Sequence, residues 1–304
     1  MSTHTPLPLR LVYLALALAW WFGTGLGRLA RRRVVVLCYH AVSATQREGF
    51  RRQVASIASR VIPTSEIDAA VLRGGRGLPA VCLTFDDGYV GLRENVFPVA
   101  AELGAPVTVF VVSENLARPP AWPLPPGAPE AGEPLLGADE LREAMGTGWV
   151  RVGAHTATHP RLPDCADAAL HDELAGCRAR IESQLGVTID ELALPHGEYD
   201  ERTLAAARQA GYRAIYSLDA CLHPARLPAS VIGRYLMSPD AWPIEFHLTC
   251  AGAYAWLHAV RGLLRRVARR RRRAAPVGAL RHGASPRAGT EAAVCAGGVH
   301  EGSR

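Results

Sequence analysis

The sequence predicts an α/β fold built on a parallel sheet or barrel. Between residues 34 and 252, six apolar runs of strand length alternate with helical stretches. Several of the helical stretches end on glycine, which is common at helix C termini. Strands that alternate with helices form parallel sheets or barrels, and such folds carry their sites at the C-terminal ends of the strands.

The predicted strands are, in chain order, VVVLCY, AVCLTF, APVTVFVV, WVRVGA, ELALP and AIYSL. The predicted helices lie between them in FRRQVASIASRV, LRENVFPVAAELG, ADELREAMGTG, DAALHDELAGCRARIESQLG and DERTLAAARQAG. The stretch RPPAWPLPPGAPEAGEP follows the third strand and contains too much proline for regular structure. We expect a surface loop there that forms a lid or wall of the site.

Charge and hydropathy divide the chain into four predicted parts. They are an apolar segment with a basic flank (residues 1–33), a globular domain (34–252), a basic amphipathic helix (253–273) and a disordered tail (274–304). Four arginines follow the apolar segment and eight lie between residues 261 and 273. When these twelve are set aside from the net charge of +6, the remainder carries −6, so the basic character belongs to the flanks.

The N-terminal run LVYLALALAWWFGTGLG is borderline short for a membrane span, which needs about 20 residues. A single span and a segment lying in the membrane interface both remain open. We expect a membrane surface as a partner of this run and of the basic helix, and no nucleic acid, because no nucleic-acid module is present. The arginines after the run and the seven cysteines without a CxxC place the domain on the cytoplasmic side, with the periplasmic or extracellular side as the alternative.

Two motifs at predicted strand ends carry metal-ligand chemistry. Asp86 and Asp87 are adjacent in CLTFDDGYVGL, where Gly88 permits a turn that brings both carboxylates into one site. His155 and His159 lie four residues apart in GAHTATHP, on what we expect to be one helical turn. One carboxylate and two imidazoles suit a divalent ion, and the second carboxylate is free to take a proton from water.

TFDDGY, HTATHP and LALPHGEYD, in this order, resemble the polysaccharide deacetylase (NodB homology) domain of carbohydrate esterase family 4, over about residues 34–218. The resemblance implies a distorted (β/α) barrel, usually of seven strands, and a deacetylase that hydrolyses the N-acetyl group of amino sugars in a polysaccharide, oligosaccharide or lipid-linked precursor. It implies that Asp86 is the catalytic base and that Asp87, His155 and His159 hold the metal, with zinc the expected ion. The backbone N–H of His196, after Pro195, would bind the oxyanion, and Tyr89 would contact substrate.

The third motif departs from the family pattern. Leu194 stands where many members carry an arginine, so the arginine partner of the base is expected to be missing. VVVLCYHAV resembles the N-terminal motif of the permuted poly-N-acetylglucosamine deacetylase branch, which makes His40 the candidate general acid, with His196 as the alternative. Two other functions stay open: a catalytically silent carbohydrate-binding or scaffold protein on the same fold, and an O-acetyl esterase.

Overall fold

Eight parallel strands surrounded by helices form the body of the protein in a computed structural model. The structure describes residues 6–25, 33–74, 77–124, 130, 132–224, 227–228, 230–257 and 260. The strands are β1 (Val34–Tyr39), β2 (Ala80–Phe85), β3 (Val107–Val111), β4 (Val150–Ala154), β5 (Glu191–Ala193), β6 (Ala214–Ser217), β7 (Val231–Gly233) and β8 (Tyr235–Leu236). The first six coincide with the six predicted strands.

The helices are α1 (Leu7–Gly23), α2 (Arg47–Ala55), α3 (Ile67–Arg73), α4 (Gly91–Asn95), α5 (Phe97–Leu103), α6 (Ala138–Gly146), α7 (Asp167–His171), α8 (Cys177–Leu185), α9 (Glu201–Gln209) and α10 (Pro243–Cys250). A π-helical turn, Asp172–Gly176, joins α7 to α8. The predicted single helix over residues 92–104 was wrong in one respect, since it is divided into α4 and α5 at Val96. Pro98 explains the break, because it lacks an N–H and its ring conflicts with the preceding helical turn.

The strand order is β7-β6-β5-β4-β3-β2-β1-β8, so that the two edge strands are β7 and β8, which are consecutive in the chain. Only Arg234 separates them. The predicted α/β barrel is confirmed, with eight strands where the resemblance implied seven. The two-residue strand β8 is the addition: it pairs with β1 through Leu37–Tyr235 and Cys38–Leu236 and brings the sheet close to closure.

Alternation along the strands divides the buried side chains into two clusters. Val34, Val36, Cys82, Phe110 and Tyr216 belong to a small cluster of mostly strand residues, which fills the inside of the barrel and also contains Ile67 of α3. Their strand neighbours, such as Val35, Leu83 and Val109, belong to the large core that packs against the helices. On β2 the inward positions are Cys82 and Thr84, and the next one along the chain is Asp86. The side chain of Asp86 therefore points to the space above the interior of the barrel.

Helix α1 packs against α10 on one side and exposes apolar side chains on the other. Arg10 forms an ion pair with Glu245 and lies over the ring of Trp242, 3.8 Å from its centroid. Tyr13 contacts Trp256, with ring centroids 5.9 Å apart. No helix in the part of the chain that the structure describes is long and apolar enough to cross a bilayer. Most of the predicted basic helix (253–273) and all of the predicted tail (274–304) lie outside the described residues.

Candidate active site

One pocket of about 460 Å³ opens at the C-terminal ends of the strands. It collects nearly all the side chains that the sequence singled out, although they come from distant positions in the chain. His40 follows β1, Asp86 and Asp87 follow β2, and the turn after β5 supplies a further histidine. The predicted site residues that line the pocket are His40, Asp86, Asp87, Tyr89, His155, His159 and His196. Pro195 is buried beneath it and begins the turn that carries His196.

The Asp-Asp pair enters the site through a tight turn after β2. Asp86 continues the inward alternation of the strand, whereas Asp87 has a φ of 70° and Gly88 a φ of 83°. A Cβ on Gly88 would lie 3.0 Å from Cγ1 of Val111, so glycine is needed there for space as well as for backbone freedom. This turn lets two adjacent carboxylates share one pocket, as the sequence predicted.

His155 and His159 do not lie on a helical turn, and that expectation was wrong. The chain leaves β4 in a compact loop in which Thr156 and His159 have φ values of 69° and 64°. The hydroxyl of Thr156 accepts a hydrogen bond from the His159 N–H at 3.1 Å, and the carboxylate of Glu173 accepts from the N–H groups of Ala157 and Thr158. These side-chain acceptors replace the backbone bonds of a helix.

Positive φ at non-glycine residues is concentrated at this site. Asp87, Thr156, His159 and His196 account for four of the six described non-glycine residues with positive φ. Each such residue costs on the order of 1–3 kcal/mol and persists only where its surroundings enforce it. The conformations that hold these side chains in their present directions therefore lower the stability of the fold.

Three side chains have the arrangement of a metal-binding triad. Ligand atoms of Asp87, His155 and His159 all lie within 4.8 Å of one another. Oδ1 of Asp87 lies 3.6 Å from Nε2 of His155 and 3.7 Å from Nε2 of His159. It is buried and has no hydrogen-bond partner among the described residues. Nδ1 of His155 lies 2.8 Å from the carbonyl oxygen of Ala193, which accepts its proton and leaves Nε2 as the basic nitrogen.

This set fits a divalent cation. An oxygen and two imidazole nitrogens are a common protein ligand set for ions of the zinc type, and three ligands leave a position for water or substrate. Burial, followed by the neighbouring His155 and His196, lowers the pKa of His159 to about 2, so its ring is neutral, as a metal ligand must be. Burial raises the pKa of Asp87. A nearby positive charge would favour its ionised form.

Arg234 is the functional residue that the sequence analysis missed, and the expectation that the base lacks an arginine was wrong. Its side chain is fully buried, and it donates two hydrogen bonds to Asp86, at 2.6 Å to Oδ1 and 2.7 Å to Oδ2. Leu194 occupies the position in the third motif where the arginine was sought. The guanidinium comes instead from Arg234, which lies between β7 and β8. A single arginine in IGRYL, inside a short apolar segment that must pair with other strands, was the available signal.

Arg234 determines the charge state of Asp86. Burial opposes ionisation, but the charge of Arg234, with smaller contributions from His155 and His40, outweighs it and holds the pKa of Asp86 below its usual range. The thiol of Cys38 adds a weak hydrogen bond to Oδ2 at 3.3 Å. A ring nitrogen of His40 lies within 4.8 Å of a carboxylate oxygen of Asp86. The pocket therefore pairs an ionised carboxylate with a histidine.

The described residues of the proline-rich stretch form part of the pocket wall, in agreement with its predicted place. Trp122 stacks on the ring of His159, with centroids 4.5 Å apart and an interplanar angle of 25°. Pro123, Leu124 and Glu130 also line the pocket. Trp122 was not singled out from the sequence, because nothing in its local pattern distinguishes it from an ordinary loop residue.

The sequence model of the polysaccharide deacetylase family matches residues 74–215. Over this range, which is just under half of its length, the chain is similar to polysaccharide deacetylases. The Bacillus subtilis protein YxkH is 23% identical over 133 residues, which cover 44% of this chain and 42% of that protein. A chitooligosaccharide deacetylase of Bradyrhizobium is 27% identical over 199 residues, which cover 62% of this chain and 82% of that enzyme.

The deacetylase PplD of Streptococcus pyogenes, solved with acetate, has a similar fold, with a TM-score of 0.60 and 18% identity over 72% of this chain and 98% of that chain. Two residues that lie beside Asp86 are outside the family match. His40 precedes residue 74 and Arg234 follows residue 215. Strand pairing of β1 with both β2 and β8 brings them to Asp86.

Proposed function

We propose that the protein is a metal-dependent deacetylase that hydrolyses the N-acetyl group of amino sugars in a polysaccharide, oligosaccharide or lipid-linked precursor. The observation that carries this proposal is the separation of tasks within one pocket. Asp87, His155 and His159 form a triad, whereas Asp86, the adjacent carboxylate, is bound by Arg234 and kept ionised. Hydrolysis of an amide needs both a Lewis acid and a proton acceptor, and the pocket offers both.

Asp87, His155 and His159 would hold the ion, with zinc the expected one from the donor set. When bound, such an ion polarises a carbonyl and makes water more acidic. Asp86 then accepts the proton of the attacking water, because it is ionised and buried beside the triad, with its Oδ2 3.9 Å from Nε2 of His155. Arg234 orients both carboxylate oxygens.

His40 donates a proton to the leaving amine in this proposal, because it lines the pocket on the same side as Asp86. His196 is the alternative donor, since it lines the pocket and meets His159 edge-on, with centroids 4.9 Å apart. The backbone N–H of His196 stays our candidate for the oxyanion, because its φ of 58° turns this peptide away from helical or strand geometry. Tyr89, which has a buried hydroxyl without a described partner, contributes to substrate binding.

The assignment of base and ligands is tested with two variants of adjacent residues. Asp86→Asn should retain the ion and lose about 10²- to 10⁴-fold in acetate release from chitooligosaccharides. Asp87→Ala should lose both the ion, measured by elemental mass spectrometry, and the activity. Wild-type acetate release by purified Asp86→Asn protein would show that the base assignment is wrong. A loss of the ion in Asp86→Asn but not in Asp87→Ala would reverse the two roles.

A substrate whose leaving group needs no proton shows which residue acts as the general acid. Hydrolysis of an aryl acetate releases a stabilised phenolate, whereas the amine of a deacetylated sugar must be protonated as it departs. His40→Gln should therefore abolish N-deacetylation and retain aryl acetate hydrolysis, while the matched His196→Gln retains both. If the two variants exchange these phenotypes, His196 is the acid. O-acetylated and N-acetylated sugars assayed in parallel decide between esterase and amidase activity.

For location, we propose that α1 lies at a membrane surface with the deacetylase domain on the cytoplasmic side. Two observations support this. Seven large apolar side chains of α1 are exposed: Leu7, Leu9, Leu11, Val12, Leu16, Trp20 and Phe22. The six described cysteines are free thiols. Ready labelling of a cysteine by an impermeant reagent in intact cells would contradict the cytoplasmic side.

A further inference from the structure

A second cavity, of about 190 Å³, lies directly beside the catalytic pocket. Three residues, Leu218, Leu236 and Met237, line both spaces. Leu236 is 42% exposed, although it is a large apolar residue on a strand whose neighbours are buried. The two spaces therefore share one wall, and the side chains that form it are apolar.

The walls of this second cavity, which we name the apolar cavity, differ in character from the catalytic pocket. Ala220, Ala241 and Leu257 add apolar surface to the three shared residues. Glu245 is the charged group of α10 in the wall, and it is already neutralised by Arg10 of α1. Arg234, which also reaches the wall, is committed to Asp86. Neither charge is left to attract a polar sugar.

Tyr254 and Tyr235 complete the wall, and the hydroxyls of both are buried without a hydrogen-bond partner among the described residues. The hydroxyls themselves expose essentially no surface, so these residues do not offer a ligand an accessible hydroxyl. A ligand that suits this cavity has an apolar chain joined to its polar end. The catalytic pocket next to it would hold the polar end.

We propose that the apolar cavity binds the hydrocarbon portion of an amphiphilic substrate, whose N-acetyl sugar occupies the catalytic pocket. The proposal rests on the proposed function and narrows its substrate class to sugars joined to an apolar group, of which lipid-linked sugars are the natural example. A helix with an exposed apolar face lies behind the same wall, because α1 is bonded to Glu245 of α10. Substrate drawn from a lipid surface would reach the cavity from that side.

The test compares alkyl β-glycosides of N-acetylglucosamine, from methyl to octyl, with the full-length protein below the micelle concentration of each. Burial of one methylene contributes about a two- to fourfold change in affinity. The cavity is finite, at about 190 Å³, so the gain should stop once the chain fills it. We expect KM to fall stepwise by more than tenfold in total and to level off before octyl. A KM that is independent of chain length would overturn the proposal while leaving the deacetylase function intact.

Cavity-filling variants connect the effect to this site. Ala241→Leu and Ala220→Leu should remove most of the gain for the hexyl glycoside and leave the methyl glycoside rate unchanged. Ala205→Leu on the exposed side of α9 is the matched control and should change neither. Melting curves verify that each variant folds, and if Ala241→Leu fails to fold, Ala220→Leu decides alone. A hexyl gain that survives filling would overturn the assignment to this cavity.

A binding measurement separates this proposal from the proposed function. Hexyl β-glucoside has no acetamide, so its binding does not depend on catalysis. Calorimetric titration into the Asp86→Asn protein should show hexyl glucoside bound at least tenfold more tightly than methyl glucoside, and the Ala241→Leu substitution should remove the difference. Chain-dependent binding without acetate release from any sugar would support the cavity and contradict the deacetylase. Equal binding of the two glucosides would overturn the assignment to the cavity and leave the deacetylase function intact.

Discussion

Replacing Arg234 with methionine tests the pairing on which the catalytic pocket depends. Arg234 is fully buried and Asp86 is 2% exposed, and the two are joined by a two-pronged contact of 2.6 and 2.7 Å. Removing the cation leaves a buried carboxylate with the Cys38 thiol as its remaining hydrogen-bond donor among the described residues. Breaking a buried pair on one side costs about 3–5 kcal/mol. We expect a loss of this size in the free energy of unfolding, measured by urea denaturation.

Two companion variants determine whether the loss comes from an uncompensated charge. Arg234→Met combined with Asp86→Asn should recover a large part of the stability, because a neutral amide needs no counter-ion. Arg51→Met is the surface control: the Arg51–Glu102 pair has side chains 42% and 50% exposed, so its loss should cost less than about 1 kcal/mol. A cost below 1 kcal/mol for Arg234→Met, or a double variant less stable than Arg234→Met alone, would refute the reasoning.

Three further outcomes follow from the packing. Gly153→Ala would place a Cβ 2.5 Å from the ring of Phe110 and should lower the free energy of unfolding by about 1–3 kcal/mol. Gly146→Ala, at the end of α6, would place a Cβ that meets nothing within 4 Å and should raise the free energy of unfolding by about 0.5–1 kcal/mol. Equal effects of the two variants in denaturation would contradict the packing argument. Glu191 is buried at the start of β5, and burial, partly offset by the hydroxyl of Thr64, raises its pKa above the ordinary 4.5. The contribution of Glu191 to stability is therefore complete below pH 4.5 and is lost as the pH rises through the higher folded pKa. Glu191→Gln should therefore gain stability relative to wild type between pH 4 and pH 8. A variant with the wild-type pH profile of unfolding free energy would contradict this. Trp122→Ala removes the ring stacked on His159 and should lower kcat/KM up to about tenfold without loss of the ion, while Trp149→Ala, outside the pocket, should leave both unchanged.

The local sequence determined the strands and the chemistry of the metal triad. Six strands follow from apolar runs, because burial on both faces of a parallel strand requires them. Asp86, Asp87, His155 and His159 could be selected because their neighbours mark strand ends and turns. The helical geometry assigned to the two histidines was wrong, since a spacing of four does not distinguish a helix from a loop held by Glu173 and Thr156.

Tertiary structure alone decided which residues surround Asp86. Arg234 is 148 residues away in the chain, and it meets the carboxylate because a two-residue strand, too short to show a pattern, pairs with β1. Trp122 and the apolar cavity likewise arise from contacts between distant segments. Local sequence records the preferences of each segment, whereas the partner of a buried charge is determined by where the barrel closes, and closure depends on the packing of the whole chain.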